Sequence, residues 1–195
     1  MGLQSISTND TENGKSFDVT GIYNRSANTF DIVISNTQNS TTVASFAASG
    51  HVLDRQEPVM GTIPAGASDG EAPQYYFPQE IPNGSYNLCP PEWRNDNDPK
   101  YSNTGPVFIL IDYTPIVNVY GTTQPVINPD TGEYVPTGTQ TDGAYGVHAD
   151  MKGDEKTWGC VATIGEKMIP NVFTFATLVE SAINSGGSAC ITIRD

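Results

Sequence analysis

A histidine and a cysteine stand twelve residues apart in GAYGVHADMKGDEKTWGCVATIG, which spans residues 143–165. His148 ends an alternating apolar–polar run, and Cys160 directly follows Gly159. A cysteine nucleophile needs an imidazole that takes its proton and N–H donors that stabilise the oxyanion formed on the substrate carbonyl. The pair therefore has the residue types for acyl transfer through a thioester.

The residues around the pair suit this chemistry. Gly159 lets the backbone turn sharply and approach a substrate, so that the amides of residues 159 and 160 could point at an oxyanion. Thr157 offers a hydroxyl group, and Asp150 could orient the imidazole or bind a substrate amine. The alternative is structural, because free cysteine is among the most buried residue types. Spacing alone favours that alternative, since short motifs often occur by chance, but it leaves both interpretations open.

The other cysteines favour structural roles. Cys190 alternates with Ile191 and Ile193 in an apolar run, and Cys89 precedes two prolines. Three cysteines cannot all pair within one chain, and a disulfide between Cys89 and Cys190 in an oxidising compartment stays open. With two histidines and no CxxC pair, the sequence gives little support to a zinc site.

The charge balance excludes several partners. The chain of 195 residues carries 9 Lys and Arg against 22 Asp and Glu, which gives a net charge of −13. Such a chain has too few cations to bind nucleic acid or an anionic membrane surface. The first residues lack the apolar stretch of a secretory signal, and no window has the apolar length of a membrane span. We therefore expect neither nucleic-acid binding nor membrane insertion. We also expect the protein to be made in the cytoplasm.

The elements that must position the pair are mainly strands. We expect a flexible tail at residues 1–15 and a single domain at 16–195, with a loop at 54–76. Alternating or continuous apolar runs predict strands at residues 17–23, 29–35, 41–50, 86–88 and 105–115, the first two forming a hairpin.

The last third of the chain carries the clearest helix signal. Apolar residues at 3.6-residue spacing predict a helix at about 172–184, stopped by Gly186 and Gly187 and followed by a strand at 189–194. Residues 115–142 are rich in proline and glycine and predict a long excursion, either a flap over the site or a surface hairpin.

His148 with Thr157-x-Gly159-Cys160-Val161 resembles the signature of the L,D-transpeptidase catalytic domain. IPNGSYNL at 81–88 is similar to the turn and strand that precede the catalytic half of that family, and VASFAASG at 43–50 is similar to an early strand. The resemblance extends loosely over residues 28–194. It implies a mainly β fold, an L,D-transpeptidase-like β-sandwich or barrel with one late α-helix and a C-terminal strand.

The resemblance also implies roles for individual residues. Cys160 would be the nucleophile and His148 the base, with no metal or organic cofactor. Oxyanion binding or orientation would fall to Gly159, Thr157 and Asp150. Substrate binding would fall to Trp158, Tyr145 and Ala162. Trp158, Ala162 and Ala149 depart from the residues usual in the family, which bears on substrate recognition more than on the nucleophile.

The function implied is a cysteine acyl-transfer enzyme acting on peptidoglycan stem peptides, by transpeptidation, L,D-carboxypeptidase action or D-amino-acid exchange. The short His-to-Cys spacing is closest to that of antibacterial type VI secretion effectors. Such an effector would act in the periplasm or cell wall of a target bacterium, with an immunity protein and a secretion component as partners.

Two other functions compete with this one. The first is a non-catalytic β-rich binding or virion-associated module, which a low pKa of the Cys160 thiol would argue against. The second is a cysteine protease of another fold. The predicted late helix argues against a papain-like arrangement, in which the cysteine begins an early helix and the histidine comes later.

Overall fold

The computed structural model describes residues 16–50, 57–61, 73–142, 145–153, 157 and 159–195. The predicted tail at 1–15 lies outside the described residues. The strands, numbered in chain order, are β1 (Asp18–Asn24), β2 (Thr29–Ser35), β3 (Ser40–Ser49), β4 (Val59–Gly61), β5 (Gln74–Tyr76), β6 (Gly84–Asn87), β7 (Glu92–Trp93), β8 (Val107–Leu110), β9 (Ile116–Val119), β10 (Gly138–Thr141), β11 (Gly146–Ala149), β12 (Val161–Thr163) and β13 (Ala189–Arg194). The helices are α1 (Tyr101–Thr104) and α2 (Met168–Asn184).

The strands form two sheets, and the predicted mainly β class with a late helix and a C-terminal strand is confirmed. Nine strands follow the order β6-β13-β1-β2-β3-β12-β11-β8-β7 in a sheet that curls into a half-barrel. Four more follow the order β10-β9-β5-β4. The predicted hairpin of β1 and β2 and the third strand β3 are present and pair antiparallel.

The structure differs from the sequence-based expectation at residues 54–76, and it shows two paired strands within the excursion at 115–142. The predicted loop at 54–76 contains β4 and β5, which pair with each other and, through Tyr76, with β9. Each has three residues, too few for a period to be visible in the sequence. Residues 115–142 contain β9 and β10, which pair antiparallel as the two arms of a hairpin.

Helix α2 begins at Met168, four residues before the predicted start. Pro170 lies in its first turn, where proline costs no intrahelical hydrogen bond, so it does not delay the start. At the other end Gly186 has φ +81°, and the Gly187 N–H donates to the Ala182 carbonyl at 2.9 Å, which ends the helix as predicted. Its buried face consists of Val172, Phe175, Ala176, Val179 and Ala182.

Helix α2 packs against one face of the large sheet at its centre. It packs against β1, β8, β11 and β12. Val147 and Val161 point into the shared core and are almost fully buried. His148 follows Val147 in β11 and so points to the other face of the sheet. Its backbone is held rigidly because its neighbours on both strands are packed in the core. Neither α1 nor α2 is long and apolar enough to cross a membrane.

Candidate active site

The pairing of β11 with β12 places Cys160, the residue before β12, diagonal to His148. The two strands pair in parallel, with His148 opposite Ala162. Cys160 lies two residues before Ala162, so it stands beside Gly146 and diagonal to His148 on one face of the ladder. A Cβ at Gly146 would lie 2.3 Å from Cζ of Phe108, so this position leaves room for no side chain.

Thr157 fixes the turn that leads into Cys160. Its hydroxyl group donates to the Cys160 carbonyl at 2.6 Å and accepts the Gly159 N–H at 3.2 Å. The hydroxyl thus bonds two backbone groups of the turn, and the Thr157 side chain is buried. These bonds let Thr157 orient the backbone at Cys160.

The imidazole of His148 is oriented by a backbone carbonyl. Its Nδ1 lies 2.8 Å from the Ala149 oxygen, and since a carbonyl only accepts, Nδ1 carries the proton and Nε2 is the basic nitrogen. The Phe108 ring stacks on it, with centroids 5.9 Å apart and planes at 15°. Burial lowers the pKa of His148, against the opposing effect of the Ala149 carbonyl and the Asp150 charge. The imidazole of His148 is therefore neutral near pH 7.

The thiol of Cys160 is also held in its neutral form. Burial raises its pKa to about 11, and the negative charge of Asp142 adds to this. A backbone hydrogen bond from Gly146 and the positive charge of Arg94 act in the opposite direction. The two side chains thus rest as a thiol and a neutral imidazole.

Asp150 closes the turn after β11. Its carboxylate accepts the N–H groups of Lys152, at 3.2 Å, and Gly153, at 2.9 Å. Its own N–H donates to the Thr163 carbonyl at 2.9 Å. Its charge raises the pKa of His148. Asp150 therefore acts on the imidazole through its charge and through the turn it holds.

Tyr145 packs against Gly159 and is bonded to Asp142. The Tyr145 ring is buried, and its hydroxyl group donates to the Asp142 carboxylate at 2.5 Å. Asp142 is itself buried, and its charge reaches Cys160. Of the other residues predicted to bind substrate, Ala162 is buried beside His148 and presents only a methyl group. Trp158 lies outside the described residues.

No pattern in the sequence pointed to Arg94, which follows the edge strand β7. Its guanidinium lies over the Phe108 ring, 5.0 Å from the centroid, and pairs with Glu92 at 2.9 Å. Its charge lowers the pKa of both Cys160 and His148. A cation from a distant part of the chain therefore belongs to the site.

The remaining cysteines lie in other strands or loops. Cys89 and Cys190 form no disulfide with each other, and Cys190 shares a 3.3 Å hydrogen bond with the Thr20 hydroxyl group. Among the described residues, no three His, Cys, Asp or Glu side chains cluster as metal ligands.

No protein-family model matches the chain, and no curated protein matches its sequence. Its fold is similar to that of the helical cell shape determining protein Pgp2 of Campylobacter jejuni, at 13% identity and a TM-score of 0.48, over 92% of this chain and 49% of that one. Bd1075 of Bdellovibrio bacteriovorus is similar at 12% identity and a TM-score of 0.42, over 91% and 48%.

L,D-transpeptidase 1 of Mycobacterium tuberculosis is similar at 12% identity and a TM-score of 0.33, over 92% of this chain and 63% of that one. The chain thus spans about half the length of the first two proteins. At these identities and TM-scores, nothing about the chemistry of this chain follows from the likeness.

Proposed function

We propose that this chain is a cysteine acyl-transfer enzyme acting on peptidoglycan stem peptides, with Cys160 as nucleophile and His148 as base. The observation that carries the proposal is the parallel pairing of β11 with β12, which sets Cys160, the residue before β12, diagonal to His148. His148 Nδ1 is bonded to a carbonyl, which leaves Nε2 as the basic nitrogen. The resemblance of residues 148–161 to the L,D-transpeptidase signature supplies the substrate class.

The reaction follows from the protonation states. Nε2 of His148 takes the proton of the Cys160 thiol as Sγ attacks the carbonyl carbon before the terminal D-amino acid. The carbon–nitrogen bond then breaks, and the imidazolium gives its proton to the leaving amine. A thioester remains on Cys160. An acceptor amine resolves it in transpeptidation or amino-acid exchange, and water resolves it in L,D-carboxypeptidase action.

Two further features support this chemistry. The turn held by Thr157 fixes the backbone around Cys160, where N–H donors for the oxyanion belong. The raised pKa of the thiol is compatible with attack because His148 is neutral and can accept the proton during the step. A nucleophile already ionised at rest is not required by this mechanism.

The same raised pKa favours the second candidate, a non-catalytic β-rich binding module in which Cys160 is an inert core thiol. One experiment decides between the two. Purified muropeptides are incubated with the wild-type chain and with Cys160→Ala, Cys89→Ala and Cys190→Ala, and the products are identified by mass spectrometry. We expect loss of turnover in Cys160→Ala alone. Products formed at the wild-type rate by Cys160→Ala would refute the acyl-enzyme mechanism.

We further propose an effector role in the cell wall of a target bacterium, supported by the short His-to-Cys spacing alone. Directing the chain to the periplasm of a Gram-negative host tests it. Growth arrest that Cys160→Ala abolishes is the expected result, and normal growth with the active chain present in the periplasm would contradict it.

A further inference from the structure

The Phe108 ring on β8 lies between two groups of the site. These are the His148 imidazole on β11 and the guanidinium of Arg94, which follows β7. The Arg94 N–H donates to the Pro106 carbonyl at 2.8 Å, which extends the edge pairing of β7 with β8. Its guanidinium lies on the Phe108 ring, and the same ring stacks on the imidazole. Arg94 therefore stands on the His148 side of the nucleophile.

The hydrogen-bonding capacity of this guanidinium is incompletely used. One terminal nitrogen donates to Glu92 at 2.9 Å and the other to the Thr104 hydroxyl group. The Arg94 side chain is only 4% exposed, and its Nε is buried with no hydrogen-bond partner among the described residues. Leaving a donor of a buried cation unpaired is costly, and a bound ligand is one of the few reasons for which such a donor is kept.

The present partner of Arg94 can be exchanged. The Glu92 side chain is 53% exposed, so the ion pair lies directly beneath the surface. The Glu92 carboxylate can leave for water, whereas the buried guanidinium needs a negative partner. An incoming carboxylate can therefore take the place of Glu92 and keep the buried charge paired.

We propose that Arg94 is the anion-binding subsite of the Cys160–His148 site and holds the free carboxylate of the terminal amino acid that leaves the donor peptide. The identity of this carboxylate rests on the proposed function. In that reaction His148 protonates the leaving amine, and the carboxylate is only two bonds from the same nitrogen. Its binding group must therefore lie on the His148 side, where Arg94 stands, and away from the negative charge of Asp142.

Two alkylating reagents of nearly the same shape test the subsite without a substrate. Iodoacetate and iodoacetamide both transfer their carbon to the Cys160 thiolate and release iodide, but only iodoacetate is an anion. Both react with the same thiolate population, so the ratio of their rates at Cys160 reports the attraction of an anion. We expect Arg94→Gln to lower the iodoacetate-to-iodoacetamide ratio about tenfold, since it removes a nearby buried charge.

The matched control is Arg194→Gln, which removes one positive charge from an exposed position near the opposite edge of the large sheet. It should leave the ratio within twofold of wild type. A ratio that changes equally in the two variants, or in neither, would overturn the proposal. A Cys160 that neither reagent reaches would also overturn it, because a substrate carboxylate could not reach Arg94 either.

A second variant covers the case in which Arg94→Gln does not fold. Glu92→Gln keeps Arg94 and removes its exchangeable partner, so the ratio should rise, while Asp98→Asn in the same segment should leave it unchanged. An unchanged or lower ratio in Glu92→Gln would overturn the proposal. The failure of the proposed function looks different, because muropeptides would then remain intact while the preference for iodoacetate and its dependence on Arg94 persist.

The carboxylate itself is identified with two donor peptides, one with a free C-terminus and one with a C-terminal amide. Amidation should lower kcat/KM of the wild type about 10- to 100-fold, as expected for a hydrogen bond to a charged group. In Arg94→Gln, amidation should cost less than about threefold. Equal costs in both proteins would show that Arg94 does not bind this carboxylate.

Discussion

Gly159 and Tyr145 touch so closely that no side chain fits between them. A Cβ at position 159 would lie 2.0 Å from Cε1 of Tyr145 and 2.5 Å from the Gln79 carbonyl oxygen. Gly159 also has φ +107°, which glycine adopts at no steric cost. The residue before Cys160 is thus fixed by its neighbours on two sides.

Gly159→Ala should therefore destabilise the protein and disable the site. Overpacking a buried position costs about 1–3 kcal/mol, in addition to the strain of a positive φ. Gly165→Ala is the matched control, because Gly165 has φ +81° with no atom within 4 Å of its would-be Cβ. Denaturant unfolding measures both variants. Equal losses of unfolding free energy in the two variants would mean that Tyr145 does not prevent a side chain at position 159.

His148→Ala should lower kcat/KM for stem peptides about 10²–10⁴-fold, the usual range for a positioned acid–base group. Because the pKa of His148 is lowered, the imidazole stays neutral until the pH falls below the ordinary histidine value near 6.5. Activity should accordingly be kept down to that pH and be lost below it. A loss of tenfold or less with an unchanged pH profile would leave His148 with a structural role.

Asp142→Asn should make Cys160 more reactive. The Asp142 charge raises the pKa of the thiol, so neutralising it lowers that pKa and increases the thiolate fraction at a given pH. Alkylation by iodoacetamide at pH 8 should become faster by roughly threefold or more. Asp130→Asn, at an exposed position of the same excursion, should have no effect. Equal rates in both variants would place Asp142 too far from Cys160 to act on it.

The excursion at 115–142 should act as a flap. Its β9 pairs with β5, whose Tyr76 is close enough to Cys160 for their charges to interact, and Asp142 follows its last strand. Replacing residues 124–135 with a short Gly-Ser link removes the exposed hairpin tip and spares both strands. We expect kcat/KM for stem peptides to drop while alkylation of Cys160 by iodoacetamide persists or quickens. Unchanged peptide turnover would rule out the flap.

The parts of the fold that could be predicted are those with a long enough pattern. Strands β1 and β2 alternate over seven residues each. Helix α2 has apolar residues at helical spacing over about three turns, from Val172 to Ile183, so all three elements were visible in the sequence. Strands β4 and β5 were missed because three residues carry no period. Their pairing depends on β9, which lies some forty residues further along the chain.

Part of the candidate site could likewise be predicted from the sequence, and part could not. Cys160, His148 and Thr157 form a local motif, and the structure gathers them through the pairing of β11 with β12. The partner of His148 is the Ala149 carbonyl, a backbone group that no side-chain pattern could reveal. Arg94 reaches the site from another part of the chain, through the pairing of β7 with β8, which the sequence did not predict.

The most direct test of the account is the mass of the intact protein after brief exposure to a donor tetrapeptide. We predict an adduct equal to the donor minus its terminal amino acid, attached to Cys160 as a hydroxylamine-sensitive thioester and missing from Cys160→Ala. Turnover of the donor without this adduct under rapid quenching, or the same adduct on Cys160→Ala, would contradict the assignment of Cys160 as the nucleophile.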